Sequence, residues 1–457
     1  MGEHQESQNP SGAAGSDAAF PLPANGSGTD LQQRAGCHRR GVDHGRMERM
    51  TPDAVAIDSA GPLEGLRVID ITSTVVGPLA TQILGDLGAD VIKIAPPGGD
   101  ALRKLGPARN PGMGSLFLAL NRNKRSVVLD LKQEQARQVL ERLIEGADVL
   151  LHNMRPQAAR RLGLSYGDLA SRHPRLVYAS ASGYRSDGPL ADRPAFDEVI
   201  QAGSGISGLF VRAGDPARYA PFIIADKVVG HILASSVGMA LFERERSGRG
   251  QEVQVPMLET MVDFNMLEHF WGRAFDPPLG EPGYSRLLTP SRRPFRTADG
   301  HVCVTATTDE QWARLFKAIG RPDLAEDSRY SKMEQRSFHF AEIFAQLEEA
   351  LARKTSAHWM HVFDEHDLPN GPAPGLEEIF DSPYLRDGGV FKHYEHPSEG
   401  GLISGQPQVR YSRTPARMHR PPPRLGEHTR EVLHALGLDE ATMAQIQSQA
   451  PSLRPKA

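Results

Sequence analysis

The 457-residue chain has only two cysteines, Cys37 and Cys303. Two thiols cannot build a disulfide framework, and neither has a metal-ligand neighbour at useful spacing. That excludes a bound metal as an expectation and points to a reducing, cytoplasmic setting. No window approaches the roughly 18 continuous apolar residues of a membrane span. The front of the chain lacks the apolar stretch of a secretory signal. A formal net charge of -4 at pH 7 gives no reason to expect nucleic-acid binding. Several fingerprints are missing as well. No GxGxxG follows the first predicted strand, which weighs against a dinucleotide dehydrogenase. No GxxxxGK[ST] or HExxH occurs, and no GxSxG stands as a nucleophile elbow at a strand-to-helix turn, so a P-loop NTPase, a zinc protease of that type and an α/β-hydrolase are not supported.

What is present is a soluble composition, 39% hydrophobic and 24% charged, with its polar excess at the front. Residues 1–60 are rich in Gly, Ser, Ala, Pro and Asp and are expected to be disordered, with Met47 and Met50 as alternative starts before the folded part. From residue 61 the pattern alternates. Strands are predicted at 66–71, 91–94, 127–129, 149–151 and 176–179, and helices at 79–87, 134–144 and 156–170. This predicts an α/β fold, an open parallel sheet covered by helices on both faces. Residues 182–208 read as loop. A helix from Asp226, a strand at 252–255 and a helix at 257–271 complete a first block, 61–274. Residues 275–293 are Pro- and Gly-rich and read as a linker. A smaller α+β domain, 294–391, opens with a hairpin around Asp299-Gly300 and continues with helices at 309–319 and 340–352. Residues 392–457 return to the large domain with helices at 429–436 and 440–448.

An open α/β sheet predicts a ligand at the carboxyl ends of its strands. Lys124, Arg125, Lys132, Arg155 and Arg161 are candidate phosphate partners there. One carboxylate also stands out. Pro221-Phe222-Ile223-Ile224-Ala225 runs into Asp226, and an apolar helix pattern runs away from it. Such a carboxylate is partly desolvated yet reachable, as a covalent nucleophile must be. On local residues alone, an N-cap is the stronger reading, because Asp oxygens accept the orphan N–H groups of a first turn.

Several runs together resemble the class III CoA-transferases. They include Leu63-Glu64-Gly65-Leu66-Arg67-Val68-Ile69-Asp70 before Gly77-Pro78, Gly85-Asp86-Leu87-Gly88-Ala89-Asp90-Val91-Ile92-Lys93, and Asn121-Arg122-Asn123-Lys124. Gly183-Tyr184 with Gly188-Pro189, the Asp226 segment, Gly248-Arg249-Gly250-Gln251 and Leu425-Gly426-Glu427-His428-Thr429 follow in order. The resemblance spans roughly 62–445. It implies a Rossmann-like large domain made from both chain ends, a smaller domain between, and a homodimer of interlinked subunits. It also implies an enzyme without a tightly bound cofactor that moves coenzyme A from an acyl-CoA to a small carboxylic acid, with Asp226 catalytic. CoA contacts carry over to Val76, Leu129, Lys132, Asn153, Met154 and Arg161, with Asp197 in a loop facing the site. Oxyanion donors are sought in Gly203-Ser204-Gly205. The chain departs at Ala95-Pro96, where a nucleotide contact is expected, and it lacks a glycine run in 272–293. The family's racemases place a His where Phe196 stands, which leaves racemase and a non-catalytic CoA binder as alternatives.

Overall fold

In this computed structural model, residues 61–448 are described. The expectations for residues 1–60, Cys37 among them, and for 449–457 lie outside the described residues.

Six strands form one parallel sheet: β1 (Arg67–Ile71), β2 (Asp90–Ala95), β3 (Lys124–Val128), β4 (Val149–His152), β5 (Val177–Ser182) and β6 (Glu252–Pro256). Their order is β3-β2-β1-β4-β5-β6. Register runs Val68↔Val91 on one side of β1 and Val68↔Val149 on the other. The chain fills one half of the sheet, returns to the middle and fills the other half. The switch point between β1 and β4 opens a crevice at the carboxyl edge.

Strands with apolar residues at successive positions must be covered on both faces. One face of the sheet, with Val68, Val149 and Val177, packs under the helices Val76–Asp86, Ile224–Ser247 and Met257–Met266. The other, with Ile69, Ile92 and Leu150, packs under Glu134–Glu145 and the C-terminal helices Thr429–Ala435 and Glu440–Ser448. Val432, Leu433, Met443 and Ile446 bury that last segment against the sheet.

A separate core serves residues 295–368. There β7 (Phe295–Arg296), β8 (His301–Val304) and β9 (Asn370–Pro372) form an antiparallel sheet. The helices Asp309–Ala318, Phe340–Leu351 and Ser356–Glu365 pack Trp312, Leu347 and Phe363 against it. Thr308 and Gln311 close a capping box that fixes the start of the first of these helices. A hairpin of β10 (Phe391–His396) and β11 (Gly400–Gly405) precedes the return to the large sheet.

Three sequence expectations change. Residues 182–208 are not all loop: Asp197–Gly203 is a helix, and Gly205, with φ 91, turns the chain into a second, Ile206–Arg212. The predicted 156–170 helix is two short helices, Pro156–Arg161 and Tyr166–Leu169, broken where Gly163 takes φ 68. The 257–271 helix stops at Met266. The Ile224–Ser247 helix reaches membrane-span hydropathy, 1.3 over an 18-residue window. No continuous apolar run produces that value, since Lys227, His231, Ser235 and Ser236 interrupt it. It arises because one side of the helix lies on the sheet while Met239 and Phe242 are apolar on the outside.

Candidate active site

A crossover helix between parallel strands runs opposite to them, so Asp226, in the first turn of Ile224–Ser247, stands at the carboxyl edge of the sheet. It is not the N-cap. Ile223 holds that position without a side-chain cap. The capping is done from a distance by Asp197, whose Oδ1 accepts the Ala225 N–H at 2.8 Å and the Asp226 N–H at 3.1 Å. The other Asp197 oxygen accepts from Gln201 Nε2 at 2.5 Å. Asp197 is buried, at 4% exposure. Its carboxylate is therefore occupied by the helix start.

Relieved of capping, the half-buried Asp226 carboxylate accepts no hydrogen bond among the described residues. Burial pushes its pKa up to about 7, and the nearby charges of Asp197 and Glu198 push in the same direction. One turn further along, Gly230 lets a second helix come close. A Cβ there would meet the Val76 carbonyl oxygen at 2.9 Å and Leu79 Cδ2 at 3.1 Å. The start of the Val76–Asp86 helix is thereby brought against the helix that carries Asp226. Val75, Val76 and Gly77 donate their N–H groups to no acceptor among the described residues. Free N–H groups at a helix start attract developing negative charge.

The loop between β1 and that helix is held from four sides. Thr72 N donates to Asp70 Oδ1 at 2.8 Å, and Lys93 Nζ donates to the Thr72 carbonyl at 2.8 Å. Asn153 accepts from Ser73 N at 3.0 Å and returns a bond to the Ser73 carbonyl at 2.8 Å. Asp100 accepts from Thr74 N at 3.3 Å. Thr74 has φ 59, a costly conformation for a β-branched residue that this network sustains. Beneath the loop, Lys93 lies 3.4 Å from Asp100 and Lys124 lies 3.2 Å from Asp70. Burial opposes ionisation of Asp70, yet Lys93, Lys124 and the Thr72 and Thr81 hydroxyls hold its carboxyl well below the usual range.

The other sequence candidates separate. Val76 is buried at the helix start just described, and Asn153 clamps Ser73 across the switch point. Lys132 and Arg161 are exposed, and their chain neighbours Leu131 and Leu162 line one cavity of about 280 Å³. Met154 lines a second, also about 280 Å³, with Ser180 and Ser182. Met154 N donates to His152 Nδ1, and His152 Nε2 meets Tyr178 Oη at 2.6 Å. Tyr178 donates onward to the Leu164 carbonyl, so the imidazole is neutral with its proton on Nε2, and burial lowers its pKa to about 4. Leu129 is 1% exposed, its side chain inside the core.

Lys124 and Arg125 are not phosphate partners. They begin β3, at the amino edge of the sheet, where Lys124 is fully buried on Asp70 and Arg125 is paired with Asp90 and Glu431. Arg155 donates to the Asp192 carbonyl.

The family model for CoA-transferase family III matches residues 63–429. The chain belongs to that family.

Curated relatives of this CoA-transferase include a probable fatty acyl-CoA transferase of Mycobacterium tuberculosis. It is 38% identical over 81% of this chain and 96% of its own length. The succinyl-CoA:glutarate CoA-transferase of Homo sapiens is 30% identical over 85% and 89%. Among solved structures, an aspartate-to-alanine variant of the M. tuberculosis protein superposes with TM-score 0.72 at 35% identity, over 82% of this chain and 99% of the other. A CaiB/BaiF family protein from Brucella suis gives 0.69 at 26% identity, over 82% and 100%. The chain is accordingly an enzyme, transferring CoA between an acyl-CoA and a carboxylate.

One feature of the CoA-transferase site escaped sequence reading. The Ser204 and Gly205 N–H groups donate to Ile200 and Ala202 carbonyls inside a helix-to-helix turn, so they are not free for an oxyanion. N–H groups without an acceptor among the described residues lie at 75–77, and their signal was the Gly77-Pro78 start of a helix with no capping side chain. Phe196 precedes the Asp197–Gly203 helix and is 64% exposed.

Proposed function

We propose that Asp226 is the covalent nucleophile of the transfer. Its carboxylate oxygen attacks the thioester carbonyl of the donor acyl-CoA, the C–S bond breaks, and CoA leaves as thiolate. The product is a mixed anhydride of Asp226 and the acyl group. The thiolate then attacks the Asp226 carboxyl carbon, expelling the donor acid and leaving Asp226 as its CoA thioester. The acceptor carboxylate attacks that thioester, and the thiolate, returning to the acceptor's acyl carbon, frees Asp226 and the new acyl-CoA. Covalent catalysis replaces one hard exchange by easier steps.

One observation carries this reading. Asp226 is half-buried at the carboxyl edge, has no donor on its carboxylate, and rides on a helix whose Gly230 packs on the Val76 carbonyl and Leu79 at the start of the Val76–Asp86 helix. In this mechanism the unpaired N–H groups of 75–77, at that helix start, receive the charge on each tetrahedral oxygen. The acyl-CoA lies along the switch-point loop, with Asn153 and Met154 beside its pantetheine arm and Lys132 and Arg161 on its phosphates. Relatives act on glutarate and, in Acetobacter aceti, on oxalate, which supports a small carboxylic acid as acceptor. Of the four arginines that the sequence offers for a second carboxylate, Arg212, Arg218, Arg292 and Arg293, three are engaged, with Pro282, Asp215 and Glu348, so together they do not single out a dicarboxylate. Phe196 exchanges no proton, which disfavours the racemase chemistry. The enzyme works as a homodimer, with residues 294–391 as a small domain between two parts of the large one.

The test is intact-protein and peptide mass spectrometry after incubation with an acyl-CoA. A CoA or acyl adduct should map to Asp226 and disappear in Asp226→Ala, together with CoA exchange between two acids. Full exchange activity in Asp226→Ala would refute the mechanism.

A further inference from the structure

We propose that the layer formed by residues 295–368 carries a second binding site, for an organic anion with an apolar body, such as a free aliphatic or aromatic carboxylic acid. A cavity of about 370 Å³ opens there, within the size range of small-molecule sites. Its buried wall is Phe295, Val304, Trp312 and Phe344, each under 9% exposed, which offers hydrocarbon contact on several sides. Its outer wall carries Arg286, Arg292 and Arg293.

The charges around the cavity do not cancel. Arg293 is matched by Glu348 at 2.6 Å. Arg286 donates to the neutral Thr305 hydroxyl at 2.8 Å and packs over Phe340. The Arg292 side chain meets no acceptor among the described residues. Two guanidinium groups therefore have no compensating carboxylate beside a greasy cavity, and guanidinium is the donor that suits carboxylates. A third sign comes from Trp312. Its Nε1 is buried and has no hydrogen-bond partner, although a buried indole N–H ordinarily finds one. Apolar wall, surplus cation and an unmet donor are together the complement of a hydrocarbon body bearing an anionic oxygen group. None of the residues around Asp226 lines this cavity, so the site does not depend on the covalent mechanism.

Octanoate is the probe, titrated into the full-length enzyme by calorimetry without CoA. Saturable binding is expected, weakened about tenfold in Arg292→Ala by loss of one charge-assisted bond. Asp226→Ala should bind octanoate as the wild type does, and octylamine, with the same chain and the opposite charge, should not bind. Arg292 is exposed, so its replacement leaves the fold intact. Unchanged octanoate affinity in Arg292→Ala, equal binding of octylamine, or absence of octanoate binding would overturn the site. Loss of binding in Asp226→Ala would move the ligand to the catalytic carboxylate and overturn it too. The adduct experiment on Asp226 is read separately.

Discussion

A carboxylate that attacks a thioester must be ionised, and Asp226 sits where ionisation is resisted. Burial is the larger cause of its pKa near 7, and the Asp197 and Glu198 charges add to it. Raised basicity also makes the ionised form a better nucleophile, so the position trades population for reactivity. The sign of the pH dependence follows directly. Below pH 7 the protonated form dominates, and kcat/KM for the acyl-CoA should fall by about tenfold per pH unit. Asp197→Asn tests the coupling. Its remaining oxygen still accepts from Ala225 and Asp226, so the helix start persists, while the negative charge is gone. The bond from Gln201 Nε2 is lost, because an amide NH2 cannot accept it, at about 1–3 kcal/mol of stability. The acid limb of the rate profile should move to lower pH in Asp197→Asn, measured as initial rates from pH 5 to 8. An unmoved limb would mean that the titrating group is not Asp226.

At the scale of elements, the two helices at the site owe their closeness to one missing side chain. Gly230→Ala would force a methyl group to 2.9 Å from the Val76 carbonyl, and helix backbones cannot yield locally. The helices must part, at a cost of about 1–3 kcal/mol. Asp226 would then be drawn away from the N–H groups of 75–77, and kcat should drop by at least about tenfold with a smaller change in KM, since misplacement acts on the transition state. Thermal unfolding and steady-state kinetics on the same variant separate the two effects. None of this closeness was legible in the sequence, because Gly230 looked like any helix glycine. Periodicity did reveal the strands and long helices, including Glu134–Glu145 and Phe340–Leu351 to within a residue or so. It failed for Asp197–Gly203 and Ile206–Arg212, whose seven residues each are too few for a period and are split by Gly203 and Gly205. It also missed the β10–β11 hairpin, since Gly400 and Gly401 hide the alternation. Asp226 itself was legible as a special carboxylate but was read locally as a cap. The group that caps instead is Asp197, and a hydrogen bond across 28 residues leaves no local pattern.

At the scale of the molecule, the Ile224–Ser247 helix presents apolar residues on the side away from the sheet. Ile232 is 36% exposed, Met239 69% and Phe242 63%. The spacing 232, 239, 242 keeps them on one stripe. The helix that follows β6 adds Phe264 at 50%, and Leu267 just beyond it is 83% exposed. Large apolar side chains gathered on one stretch of surface mark a contact rather than scattered exposure. We propose a second copy of the chain as the cover, because an isologous interface pairs one patch with itself. This stripe begins less than two turns from Asp226, so losing the partner should disturb the catalytic helix as well. Met239→Glu with Phe242→Glu places two charges where hydrocarbon must be buried, and desolvating an unpaired charge costs several kcal/mol. Multi-angle light scattering should give twice the chain mass for the wild type. The double variant should give the mass of one chain or soluble aggregate, with CoA exchange reduced in proportion to the lost dimer. A double variant that keeps the wild-type mass would place the dimer contact on another face.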